Sequence, residues 1–114
     1  MTLESLVESL NLQVEAGGEN LEREVTGGYM SDLLSDVIAN SQAGNLWLTL
    51  QVHSNIVAVA TLKELSGIIL IGGRNPAPDT LEKAKQERIP VLSSPKSAFE
   101  MAGMLYQLGV GRKE

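Results

Sequence analysis

Residues 67–94 read GIILIGGRNPAPDTLEKAKQERIPVLSS, and this stretch decides the fold. "GIILIGG" (67–73) is a continuous apolar run closed by two glycines, the pattern of a central strand buried on both faces. A proline-bounded loop follows, and then an exposed charged helix from about Asp79, whose "EKAKQER" is a solvated face with i,i+4 pairing. "PVLSS" (90–94) is a second, short strand. Strand, crossover helix and strand in this order imply a parallel pair with a right-handed connection.

Upstream, "LWLTLQV" (46–52) is apolar at alternate positions and reads as a further strand. Ser54 then caps "NIVAVATLKEL", apolar almost all round and so a well-buried helix, although Ile56, Val57 and Val59 also suit a strand. Downstream, "SPKSAFEMAGMLYQLGV" predicts a long helix with Pro95 in its first turn and Gly109 at its end. Its Met101, Met104, Leu105 and Leu108 form a stripe belonging to the core or to a subunit interface. The tail "GRKE" (111–114) is expected to be loose.

Nearer the start, "TLESLVESLN" predicts a short amphipathic helix with Thr2 as N-cap. "LQVEA" (12–16) alternates like a half-buried strand, "AGGEN" is a turn, and "LEREV" (21–25) could continue extended structure. Gly27-Gly28 is read as a strand-to-helix turn. Ser31 or Asp32 would cap the helix "SDLLSDVIANSQ", with Leu33, Leu34, Val37 and Ile38 as its apolar face. The fold expected is α/β, with three layers, a mostly parallel sheet, helices on both faces and a possible antiparallel N-terminal edge. The 114 residues fit one domain, 1–114.

Fourteen acidic residues against nine basic ones give a net charge of −5. A chain of that sign lacks the electrostatic footprint for nucleic-acid backbones or anionic membranes, so neither is an expected partner. The absence of cysteine excludes disulfides, thiolate metal sites and cysteine nucleophiles. With one histidine and no carboxylate cluster, neither a metal site nor a nucleophile–base–orienter set is expected, and an enzyme is not the reading. "MTLESLVESLNL" has no positive charge ahead of its apolar residues, and no run approaches membrane-spanning length. A soluble cytoplasmic domain is the expectation.

In an open parallel sheet, ligands bind at the carboxyl ends of the strands. The residues expected there are Gly27, Gly28, His53, Ser54, Gly72, Gly73, Arg74 and Ser94. Glycine lets backbone approach a ligand, helix starts offer free N–H groups, and Arg74 is a fork-shaped cation able to grip phosphate or carboxylate. Each also has a plainer reading. Gly27-Gly28 can be a turn needing positive φ, His53 a loop residue and Arg74 a surface ion-pair partner. Ser93-Ser94 can be the cap of the last helix. Asp32 and Asp36, four apart, suit an exposed polar stripe as well as acid–base work.

The stretch at 67–94 resembles the DRTGG domain, and VTGGYMSDLLSDVIANSQAGNLWLTLQVHSNIVAVA (25–60) resembles that family's small stand-alone members. Related domains precede the kinase domain of HPr kinase/phosphorylase, occur in some phosphotransacetylases and accompany CBS modules in certain pyrophosphatases. The resemblance implies an α/β regulatory domain, commonly a homodimer, without activity of its own. It departs from the family pattern at Ile71, where a threonine precedes the glycine pair, and at His53-Ser54, where an Asp-Arg pair stands. No P-loop is present, so no kinase activity is implied. Two functional readings follow. One is a sensor of a nucleotide or another phosphate-containing ligand, with no resident cofactor. The other is an interaction module with a vestigial pocket, serving a larger enzyme or regulatory partner.

Overall fold

The computed structural model describes residues 1–112. Its elements are α1 (Leu3–Leu10), β1 (Gln13–Ala16), a short 3-10 turn (Gly18–Asn20), β2 (Gly27–Met30), α2 (Leu34–Asn40), β3 (Asn45–Thr49), α3 (Asn55–Leu62), β4 (Gly67–Leu70), α4 (Pro78–Glu87), β5 (Val91–Ser93) and α5 (Ala98–Gln107). Of the tail expected to be loose, Lys113 and Glu114 lie outside the described residues.

The strands form one sheet in the order β1-β5-β4-β3-β2. The pairings β2–β3, β3–β4 and β4–β5 are parallel, and β1 runs antiparallel against β5. This is the expected α/β arrangement, including its antiparallel N-terminal edge. The central strands β3 and β4 are buried at every residue, so their alternate side chains feed two separate cores. Trp47, Ile68, Leu70 and Val91 point to the side where Val37 of α2, Ile56, Val57 and Ala60 of α3, and Ala84 of α4 cover them. Leu46, Leu48, Ile69 and Leu92 point the other way, onto Leu3, Leu6 and Leu10 of α1 and Met101 and Leu105 of α5. α3 is thus a helix, but not the well-buried one expected: Ile56, Val57, Val59 and Ala60 are buried, while Ala58 and Leu62 on its outer side are exposed, Leu62 at 66%.

Several local expectations are corrected. Residues 21–25 form no strand; their one sheet-like contact is an isolated antiparallel bridge between Thr2 and Glu24. Gly27-Gly28 is no turn but the first half of β2, and neither glycine has a positive φ. Close packing favours glycine here instead: a Cβ on Gly27 would lie 3.2 Å from Asn45 Nδ2. α2 starts at Leu34, because Asp32 is drawn elsewhere. Its carboxylate accepts from Thr49 Oγ1 (2.8 Å) and from the Leu50 N–H (2.7 Å), fastening the end of β3. Ser31 Oγ accepts from the Leu33 N–H. Of the expected apolar face only Val37 is buried and Leu34 half-buried, while Leu33 and Ile38 are exposed. The last helix begins at Ala98, so Pro95 lies before its first turn rather than in it, and its cap is not Ser93-Ser94 but Ser97, which forms a capping box with Glu100.

Asp36 therefore shares no helical face with Asp32 and has its own partners. The Asn40 amide (2.8 Å) and the Tyr29 hydroxyl (2.8 Å) both donate to its Oδ1. The Asn40 hydrogen bond first, then those of Tyr29 and Ser31, hold its carboxyl below the ordinary range. A depressed folded-state pKa contributes stability above the unfolded value of about 3.9, and that stability is lost as pH falls through the folded value. Asp36→Asn should therefore lower the urea midpoint at pH 7 and lose its difference from the parent protein under acid conditions. A gap that stays constant down to the lowest pH would show that the carboxylate charge plays no part.

Candidate functional site

The carboxyl end of β4 decides what the sheet offers a ligand. After Leu70 the chain leaves the strand through Ile71 and two left-handed residues, Gly72 (φ 67°) and Gly73 (φ 73°), a conformation that glycine alone adopts freely. This turn aims both amides at the β5–α5 connection. The Gly72 N–H donates to the Lys96 carbonyl (2.8 Å) and the Gly73 N–H to the Ser94 carbonyl (3.0 Å). The two N–H groups that would make a phosphate nest are thus committed within the chain. Ser94 is buried: its N–H donates to the Leu70 carbonyl, and its hydroxyl accepts from the Lys96 N–H (3.2 Å).

Around this staple lies a concavity of about 310 Å³ lined by Gly73, Arg74, Asn75, Ser93, Ser94 and Pro95, with Asn11 and Gln13 opposite. The antiparallel sense of β1 brings the last two there. Gln13 is the first residue of β1 and pairs with Ser93 at the end of β5, and Asn11 is the C-cap of α1 just before it. Ser93 Oγ donates to the Glu15 carboxylate (2.6 Å) and so fixes the β1 side of the wall. Arg74 is exposed, and the ion pairs among the described residues, Met1–Glu24 and Glu19–Arg88, leave it without a carboxylate partner. The plainer reading of Arg74 as half of a surface ion pair finds no support among those residues.

Of the eight residues read as site candidates, Gly73, Arg74 and Ser94 border this concavity, with Gly72 next to them. His53 and Ser54 sit at the same end of the sheet but one strand over, outside the lining. The His53 carbonyl accepts from the Ile56 N–H (3.1 Å) and the Ser54 carbonyl from the Val57 N–H (3.0 Å), and the Ser54 side chain makes no capping bond. Gly27 and Gly28 are at the opposite end. Gly27 pairs with Asn45, the first residue of β3, so the glycine pair marks the amino ends of the parallel strands and cannot wall the same crevice. Asn11 and Gln13 were missed, although the antiparallel-edge reading carried the signal: a strand antiparallel to its neighbours begins where they end.

A larger concavity, about 490 Å³, lies at that amino end, among Arg23, Glu24, Gly44, Glu64, Ser66 and Glu87. The Arg23 guanidinium is engaged there with the Leu65 carbonyl (3.1 Å). Glu24 is ion-paired with the Met1 ammonium, which leaves Glu64 and Glu87 against one engaged arginine and disfavours an anion, so the smaller pocket beside Arg74 is the better candidate for one. Among the described residues, no group of three or more histidine, aspartate or glutamate side chains could hold a metal ion, and no helix is long and apolar enough to cross a membrane.

Comparison with known proteins bears on the fold. No curated protein matches the chain. Among solved structures, the fold is similar to the CBS and DRTGG domains of the regulatory region of Clostridium perfringens pyrophosphatase, complexed with the activator diadenosine tetraphosphate. The TM-score is 0.70 at 18% identity; the match covers 91% of this chain and 45% of that one, so this chain spans less than half the length of its neighbour. The family model of the DRTGG domain matches residues 5–108, from α1 to just past the end of α5. The chain belongs to the DRTGG domain family.

Proposed function

We propose that residues 1–114 act as one non-catalytic regulatory module, a cytoplasmic homodimer that binds a nucleotide or another phosphate-bearing small molecule beside Arg74. The observation that carries this reading is a guanidinium at the carboxyl ends of parallel strands that makes no ion pair among the described residues. Around it stand the side-chain amides of Asn11, Gln13 and Asn75. The similar pyrophosphatase region is complexed with a dinucleoside polyphosphate, a ligand of the same chemistry. With the Gly72 and Gly73 amides already engaged, side chains supply the recognition, and Arg74 supplies its charge.

A thermal-shift screen with adenine nucleotides, dinucleoside polyphosphates and inorganic phosphate tests the proposal. A ligand at about a hundredfold excess over its Kd adds about 2.7 kcal/mol, which for a domain of this size raises Tm by on the order of 10 °C. Arg74→Ala should remove that rise while leaving the ligand-free Tm within a degree or two. A flat response across the whole panel would sink the ligand reading.

The second reading, an interaction module with a vestigial pocket for a larger enzyme, draws on those same engaged amides. It predicts a stable complex that survives Arg74→Ala.

A further inference from the structure

We propose that two copies of this chain associate through the outer stripe of α5, with Phe99 of each copy seated beside Gly103 of the other. The proposal rests on the homodimer reading above and names its surface.

α5 has two faces. Met101 and Leu105 are buried against the sheet, while Phe99, Gly103 and Tyr106 recur at i, i+4 and i+7 on the outside. Phe99, the chain's one phenylalanine, is 87% exposed, and Tyr106 is 58% exposed. The other two aromatic residues, Trp47 and Tyr29, pack in or against the core. Half of a small aromatic complement therefore faces outward along one helical stripe.

Gly103 has no explanation within a single chain. An added Cβ there would meet nothing within 4 Å, so the fold does not require glycine, which is among the poorest helix formers. A second chain approaching closely would require it. Beside it lies a shallow, open hollow of the surface bordered by Phe99, Glu100, Gly103, Met104 and Gln107. A knob and a hollow one turn apart on one helix are self-complementary under a two-fold axis, the commonest symmetry of soluble oligomers.

Charge and area agree. α4 carries five charged residues, Asp79, Glu82, Lys83, Lys85 and Glu87, whereas α5 of equal length carries only Glu100. Depletion of charge with aromatic and methionine enrichment is the signature of an interface centre. An aromatic side chain buries about 150–250 Å² when fully covered. Phe99, 87% exposed, contributes most of such an area, and Tyr106, 58% exposed with the Arg112 guanidinium 5.9 Å from its ring centre, part of one. Both count toward the roughly 800 Å² per partner of a standard interface.

Sedimentation velocity on the full chain, with Phe99→Glu and Gly103→Leu beside it, tests the surface. The parent should be a dimer, and each variant should weaken self-association by about a hundredfold or more while keeping the parent's circular dichroism. If Phe99→Glu fails to fold, Gly103→Leu decides, because its side chain projects into open space in the single chain. A parent dimer that neither variant dissociates overturns this surface and leaves the homodimer reading standing. A parent that is monomeric throughout the micromolar range overturns both. Because neither variant touches Arg74, the ligand-induced thermal shift reports on the pocket independently.

Discussion

Trp47→Ala will destabilise the domain by about 3–5 kcal/mol, enough to consume much of the stability of a domain this size. Trp47 is fully buried in the middle of β3 and shares its core with Val37, Ile56 and Ile68. Truncation removes the largest side chain in that core, and the rigid sheet beneath cannot collapse into the space. It also removes the indole N–H that donates to the Ser31 carbonyl (2.9 Å) on the β2–α2 connection. Trp47→Phe keeps most of the volume and loses only that bond and part of the contact, and should cost about 1–2 kcal/mol. Urea unfolding followed by far-UV circular dichroism measures both, since the substitution deletes the chain's one tryptophan fluorophore. A loss below about 2 kcal/mol for the alanine variant would mean that the core relaxes around the gap.

Gly17→Ala should be nearly as damaging, for a different reason. Gly17 has φ 75°, and a Cβ placed on it would lie 2.5 Å from the Ile89 carbonyl oxygen and from the Pro90 nitrogen and Cα. All three are backbone atoms, so no side-chain rotation relieves the clash. The left-handed conformation costs an alanine about 1–2 kcal/mol and overpacking about 1–3 more, for a total of about 2–5 kcal/mol and a Tm lower by roughly 10 °C or more. Gly18→Ala is the paired control. Its φ is not positive, and its Cβ would meet only Val14 Cγ1 at 3.6 Å, so it should change stability by less than about 1 kcal/mol. Equal effects at the two glycines would mean that the tight approach to Pro90 is not what matters.

These two residues also mark what a sequence can and cannot disclose. The run at 67–70 and the charged helix from about Asp79 were legible because a continuous apolar run and an i,i+4 charge pattern are local signals, although the helix in fact takes in Pro78 at its first position. Asp32 has every local feature of a cap, yet its carboxylate goes to Thr49 Oγ1 and the Leu50 N–H, a choice visible only once β3 stands beside it. Gly27-Gly28 suggested a turn because glycine pairs usually supply positive φ, while here both lie in an extended strand and only at Gly27 would a Cβ pack tightly, against Asn45. Within the candidate site, Arg74 and the Gly72-Gly73 turn could be placed at a strand end from the sequence alone. The engagement of both glycine amides by the β5–α5 connection, and the arrival of Asn11 and Gln13, depend on pairings between distant segments.

The antiparallel edge also sets an order of events in assembly. β1 pairs only with β5, and Gln13 meets Ser93 across 80 positions of sequence (93 − 13). During synthesis β1 emerges before the other four strands of this sheet, and its one neighbour, β5, emerges last of the five. The units β3-α3-β4 and β4-α4-β5 close over short separations and can nucleate first, whereas the β1 edge bears the largest loop-closure entropy and docks last. Until then β5 is an open sheet edge able to pair with another chain. The vulnerable interval in this protein's biogenesis thus lies between completion of the parallel sheet and the return of β1.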